Sequence, residues 1–471
     1  MTEVTGWLAS RAIPLAGLDP RSPAADLEPL REVLDGVRVV GLGEATHGTR
    51  EFFLLKHRLL RFLVEELGFT VLAMEASVSA AEALDAYVLG GPGDPERLLA
   101  DLGFWTWHTR EMLAVVEWMR EHNRTAMTKV RFAGIDPQFP AASLRWLRDH
   151  LGDRADDLLG PLEVLGETRL GVTGPLSPTV EAAARRLLDH VLEVGGPDNE
   201  PPGARPWSEG RGARGDVRGA DIPGGAGRGV RGVAVSGSAG VSHEAEGGAG
   251  VSDEAACEGC GDADLAGGAV AHAVTVWQFA TLMTRPRRDA DAARTVAAAR
   301  DRFMADNVDR LPADPAAKIA VWAHNGHVSA GHYGNDGGIP AMGHYLRRRH
   351  GDGYYALGLL FGEGEFRARR LRFGKPDVRR PPVGHRVPAT AKPTMTEFSL
   401  SAACPRDHLV DLRGGPRPDS VEQWLGQERS MRAYGGVAGR FAYKLAFTPT
   451  VLGHDFDGLA YIAHGTCSTP L

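Results

Sequence analysis

The feature that most constrains this chain is a recurring pair: a short β-branched apolar run, then a titratable side chain at its carboxyl end. VRVVGLG (37–43) runs into Glu44 and His47. FTVLAMEA (69–76) carries Glu75, KVRFAGID (129–136) closes on Asp136, and KIAVWAHN (318–325) reaches His324, with His327 just beyond. DGYYALGLLFG (352–362) reads as a fifth run of the same kind. Runs this short and apolar are the signature of buried strands. Helical periodicity fills the gaps, at 49–67 before Gly68, near 79–89 and at 109–122. Strands separated by helices predict an α/β fold with a mostly parallel central sheet flanked by helices on both faces. In such sheets ligands bind beyond the carboxyl ends of the strands. One carboxylate after a strand is commonly a helix cap. Four successive strand ends bearing titratable groups point to a shared site, because burying unpaired charge is costly.

From 195 to 268 the pattern breaks. Gly, Ala, Ser and charged residues crowd this stretch, as in GRGARGDVRGADIPGGAGRGVRG, with few large apolar side chains to offset ordering entropy. It reads as a disordered Gly-rich insertion splitting one catalytic α/β domain into a first part (1–194) and a second part (269–471). Cys257 and Cys260 form one CxxC inside it. Without a second ligand pair they read as incidental rather than as a zinc site.

Composition narrows the class further. The net charge of -7 offers no basic patch for nucleic acid and no attraction to an anionic membrane. No stretch approaches the roughly 18 uncharged apolar residues that a spanning helix needs. Four cysteines in 471 residues fit a reducing compartment, and MTEVTGWLASRAIPL lacks a signal-peptide core, so the expected location is the cytoplasm.

GLGEATHG follows a strand and precedes a helix, the setting of a dinucleotide loop, but Thr46 occupies the third glycine position and Glu44 would oppose a pyrophosphate. GxSxG and HExxH are both absent from the chain. Hydrolysis here would need water activated by histidine or by a metal.

The segment GLGEATHGTREFFLLKHRLLRFLVEELGFTVLAMEAS (41–77) resembles the signature of the erythromycin esterase family, which includes relatives linked to succinoglycan biosynthesis. The likeness continues through FWTWHTREMLAVVEWMREHN (104–123), RFAGIDPQ (131–138), ARDRFMADNV (299–308), VWAHNGHV (321–328) and MGHYLRRRHGDGYYALGLLFGEGEF (342–366). It implies a large α/β enzyme that opens the macrolactone ester of macrolide antibiotics, with a small-molecule ester as its partner. Carried over by position, it marks Glu44, His47, Glu75, His324 and His327 as catalytic. Arg50 and Lys56 also match motif positions, and Trp105 or Trp107 would line an apolar cleft. The Gly-rich insertion and His108 depart from the family pattern.

On this reading His47 is the general base, since a neutral imidazole titrates near ~6.5. Glu44 or Glu75 would orient it, and His324 and His327 would serve the oxyanion or the leaving oxygen. Arg50 would add positive charge, with Lys56 further along the same helix. Asp136 reads as a structural anchor. No cofactor is expected, although three histidines and two carboxylates also suit zinc or manganese, so a metal-dependent hydrolase of another ester stays open. A binding protein that keeps the pocket without turnover, linked to polysaccharide or secondary metabolism, is the alternative from another class.

Overall fold

The computed structural model describes residues 2–170, 173–195, 262–311, 316–332, 338–372, 375–390, 392–439 and 441–471. Thirteen strands are present among them. In chain order the first six are β1 (Ala12–Pro14), β2 (Val39–Leu42), β3 (Val71–Ser77), β4 (Arg131–Asp136), β5 (Ile319–Trp322) and β6 (Tyr354–Arg372). There follow β7 (Lys375–Pro376), β8 (Val383–Val387), β9 (His408–Asp411), β10 (Glu428–Arg432), β11 (Val437–Ala438), β12 (Phe447–Val451) and β13 (Gly458–Gly465). The main sheet has the order β1-β9-β13-β6-β2-β5-β3-β4. From β13 to β4 every pairing is parallel, and the antiparallel strands β9 and β1 close one edge. The mostly parallel α/β architecture expected from the alternation is the one observed.

Register brings the strand ends level. Leu42 and Met74 both pair with Trp322, and Leu42 also pairs with Leu357. The residues that follow, Glu44, Glu75 and His324, therefore emerge along one edge of the sheet. β2 and β5 are buried at every position, as befits strands covered on both faces. The helix Arg50–Leu67 packs Phe52, Leu55, Leu59, Phe62 and Leu63 into the main core and ends at Gly68, whose φ of 73° is the left-handed cap. Each such side chain contributes roughly 1.5–3 kcal/mol on burial.

Two expectations shift. β6 runs to Arg372, beyond the run 352–362. Its second half, GEFRARRLR, buries Arg367 and Arg369 along with Phe366 and Ala368, and an apolar-run criterion passes over a strand whose buried positions include arginines. Pairing with β8 stabilises that half. A helix, Asp262–Thr284, begins inside the segment 195–268 that reads as Gly-rich insertion. The remainder of that segment from 196 to 261, with Cys257 and Cys260, lies outside the described residues. Helices Pro178–Gly195 and Asp262–Thr284, on either side of it, meet in a second apolar cluster that includes Leu187, Leu188, Val274 and Phe279.

Candidate functional site

The turn between β2 and the helix Arg50–Leu67 carries Glu44 and His47. Its path is held by backbone bonds from several elements. Gly43 N–H donates to Leu357 O at 2.8 Å, Asn325 N–H to Glu44 O at 2.9 Å, and Tyr434 N–H to Ala45 O at 2.6 Å. Gly48 N–H donates to Thr46 Oγ1 at 2.9 Å, tightening the turn. Gly48 O accepts from Arg367 N–H at 3.0 Å and Ser468 N–H at 2.9 Å. Only glycine fits at position 48, because a Cβ there would lie 1.8 Å from Arg367 O.

Within this turn His47 Nδ1 lies 2.7 Å from Glu44 Oε1. A carboxylate accepts, so the neutral ring carries its proton on Nδ1 and presents a lone pair at Nε2. The other Glu44 oxygen accepts from Lys56 Nζ at 2.7 Å. Burial raises the cost of ionising Glu44, yet Lys56 and His47 hold its pKa below the usual carboxylate value. Burial brings Lys56 down to about 8 against the pull of Glu44. Lys56 has no exposed surface, so its placement is that of a support beneath Glu44 and not of a substrate contact.

Glu75 stands at the end of β3, where the pairing with β4 shifts register between Met74 and Ser77. Such irregularities re-aim a side chain. Glu75 does not bond His47. Its Oε2 accepts from His324 N–H at 3.0 Å, and its Oε1 accepts from Arg300 Nη2 at 2.8 Å and lies 3.2 Å from His327 Nε2. Although burial opposes its charge, His327 and Arg300 hold Glu75 well below the carboxylate range.

The two histidines of AHNGH differ in state. His324 Nδ1 accepts from Gly326 N–H at 3.1 Å, which puts the proton of the neutral ring on Nε2. Burial, and then the neighbouring His47, lower its pKa to about 3. Its ring lies 5.2 Å from that of His47, and its buried Nε2 has no hydrogen-bond partner among the described residues. His327 Nδ1 donates to Asp301 Oδ1 at 2.6 Å. Burial disfavours charging His327, but Asp301 and Glu75 outweigh it and raise its pKa to about 9. That rise favours the charged ring, with Asp301 at Nδ1 and Glu75 Oε1 3.2 Å from Nε2. Arg300 Nη1, 3.0 Å from its Nε2, is a like-charged neighbour there.

Arg300 and Asp301 are the participants that the motif reading passed over. Arg300 bridges Glu75 and Asp136, with Nη2 to Asp136 Oδ2 at 2.5 Å. Asp136 is thus the anchor expected of it, and it also accepts from Gln138 N–H at 3.1 Å. A sequence signal for Arg300 did exist. It shares a helix face with Met304 and Asn307, at spacings of four and seven, where an apolar residue would be usual.

The remaining candidates scatter. Trp107 is buried, donates from Nε1 to Glu75 O at 2.9 Å, and meets His47 edge-on at 5.5 Å. Trp105 lies beneath the Arg367 guanidinium at 5.1 Å. Arg50 is half exposed and pairs with Glu111 at 3.5 Å, away from Glu44 and Glu75.

The family model for erythromycin esterase matches residues 64–193 and 252–465. The chain belongs to the erythromycin esterase family. Among curated relatives, erythromycin esterase type II from Escherichia coli is 36% identical over 132 residues, 28% of this chain and 30% of that protein. The matched region thus spans under a third of that relative. The fold likeness is far more extensive. A succinoglycan biosynthesis protein of known structure has 22% identity and a TM-score of 0.69, covering 99% of this chain and 97% of its own. A mutant of the erythromycin esterase EreC in its open conformation has 18% identity and a TM-score of 0.63, with 97% of each chain covered. At such identities the structural match establishes the fold of this family member. No helix among its described residues is long and apolar enough to cross a membrane.

Proposed function

We propose that this chain hydrolyses a carboxylic ester, with macrolide lactones as the substrate class, through water activated by His47. The observation that carries the reading is the His47–Glu44 contact of 2.7 Å. It fixes the tautomer and leaves Nε2 without a hydrogen bond among the described residues. A base needs that arrangement: a basic nitrogen facing the reactants and a carboxylate behind to stabilise the imidazolium as it forms. Lys56 keeps Glu44 ionised without touching substrate.

The ester carbonyl gains negative charge as water adds. His324, neutral and with an unpartnered Nε2–H beside His47, is the donor for that oxyanion. His327 is a positive charge behind Glu75, and Asp301 holds it there against the like-charged Arg300. Trp107 sets the apolar wall against His47. The family membership supports the substrate class, because the relative from Escherichia coli bears the name erythromycin esterase.

The donor chemistry favours a metal-independent reaction. A protonated His327 has no lone pair to offer a cation, and both Glu44 oxygens are engaged. The test is incubation with fourteen- and sixteen-membered macrolides, with and without chelator, read by mass spectrometry. The expected product is heavier by one water, chelator leaves the rate unchanged, and His47→Ala slows it by ~10²–10⁴-fold. Full turnover by His47→Ala would sink the assignment.

A further inference from the structure

Five arginines are buried among the described residues: Arg58, Arg300, Arg367, Arg369 and Arg432. Four of them make side-chain hydrogen bonds to protein acceptors, although Arg58, Arg369 and Arg432 each leave Nε without one among the described residues. Arg58 bonds Asp26 and Gly17 O, and Arg300 bonds Glu75 and Asp136. Arg369 bonds Arg380 O, and Arg432 bonds Phe361 O. Arg367 is the exception. Its residue is 7% exposed, its Nε and Nη2 have no acceptor among the described residues, and its guanidinium rests on the ring of Trp105.

A buried guanidinium without an acceptor is costly, and a planar fork of donors matches a carboxylate in two-point geometry. Glu111, whose charge acts on Arg367, is otherwise engaged: its carboxylate accepts from Thr469 N–H at 3.0 Å and pairs with Arg50. Burial lowers the Arg367 pKa, with Glu111 opposing, so the charge is incompletely compensated. The location matters as well. Arg367 N–H holds Gly48 O, one residue from His47, and Trp105 stands two residues before Trp107, whose ring meets His47. Arg367 and Trp105 thus flank the turn that carries the proposed base.

We propose that Arg367, stacked on Trp105, forms a carboxylate-binding subsite that receives the acid released when an ester is cleaved. The assignment of that ligand rests on the hydrolytic reading above. Adding water across an ester gives an alcohol and a carboxylic acid, which ionises by releasing one proton to solvent. The subsite therefore meets a full negative charge after the reaction and only a neutral acyl group before it.

The test needs no turnover. Octanoate and octanamide have the same length and differ in the charge of the head group. Each is titrated calorimetrically into the full chain. Octanoate binds at least tenfold more tightly, Arg367→Met abolishes that preference, and Arg367→Lys keeps part of it because the charge remains without the fork. Equal affinity for the two probes, or an undiminished preference in a folded Arg367→Met protein, overturns the subsite. If Arg367→Met does not fold, Arg367→Lys and Trp105→Phe decide the matter: a preference unchanged in both overturns it. Macrolide turnover is scored separately. Macrolides opened without octanoate preference refute this subsite alone. Octanoate preference without any ester opened refutes the hydrolytic reading and leaves the anion site standing.

Discussion

Substituting Asp301→Asn removes the carboxylate that most strongly favours charged His327, and its effect follows from linkage. The folded-state pKa of His327 is raised to about 9 from an ordinary 6.5. A raised pKa means that the folded state binds a proton the unfolded chain releases. The corresponding stability is fully present below pH 6.5 and is lost as pH rises through 9. One pKa unit corresponds to about 1.4 kcal/mol, so the whole contribution is about 3 kcal/mol, and about 2 kcal/mol of it disappears between pH 6.5 and 8. Lys56, brought down to about 8, acts with the opposite sign above that pH, which makes pH 6.5–8 the clean window. Urea unfolding of wild type and Asp301→Asn at pH 6.5 and 8 reads the difference directly. The wild type loses about 2 kcal/mol from this group across the window, and the variant loses less than half of that. The variant is also less stable at pH 6.5, since the imidazole loses the carboxylate at its Nδ1. An undiminished fall in the variant would refute the claim that Asp301 holds His327 protonated.

Two further substitutions probe the support of Glu44 and the turn that carries the proposed base. Lys56→Met leaves Glu44 buried without its cation and lowers stability at pH 7 by about 3 kcal/mol or more in urea unfolding. Because the Glu44 pKa is lowered in the fold, the wild-type advantage shrinks as pH falls through that value, and the gap between the proteins narrows at acid pH. Gly48→Ala forces a Cβ to within 1.8 Å of Arg367 O, a backbone atom that cannot swing aside. The turn must move, so thermal unfolding shifts down and the proposed ester turnover falls at least tenfold, consistent with the sensitivity of catalysis to ~1 Å displacements.

Much of the site was legible from residue order. Apolar runs of strand length separated by helical periods specify a parallel sheet, and connections of one hand place every strand's carboxyl end on one edge. Glu44, Glu75, Asp136 and His324 lie at those ends, so their convergence follows from topology alone. His47 and His327 come with them, being three residues beyond Glu44 and His324. The two-residue bond from Asp136 to Gln138 and the helix stop at Gly68 are likewise local and readable.

Pairing was not legible. Either carboxylate was open to His47 until the turn at 44–48 brought Glu44 to Nδ1, while the register shift in β3 directed Glu75 to Arg300 and His327. Hydrogen bonds form or fail over tenths of an ångström, and the bonds of Glu75 join segments more than 200 residues apart. Arg50 and Lys56 share one helix and one motif, yet the helical turn leaves the first half exposed and buries the second completely. Sequence period sets which edge of the sheet a residue reaches. Charge state, partner and exposure come from packing in three dimensions, because each depends on every neighbour's distance at once.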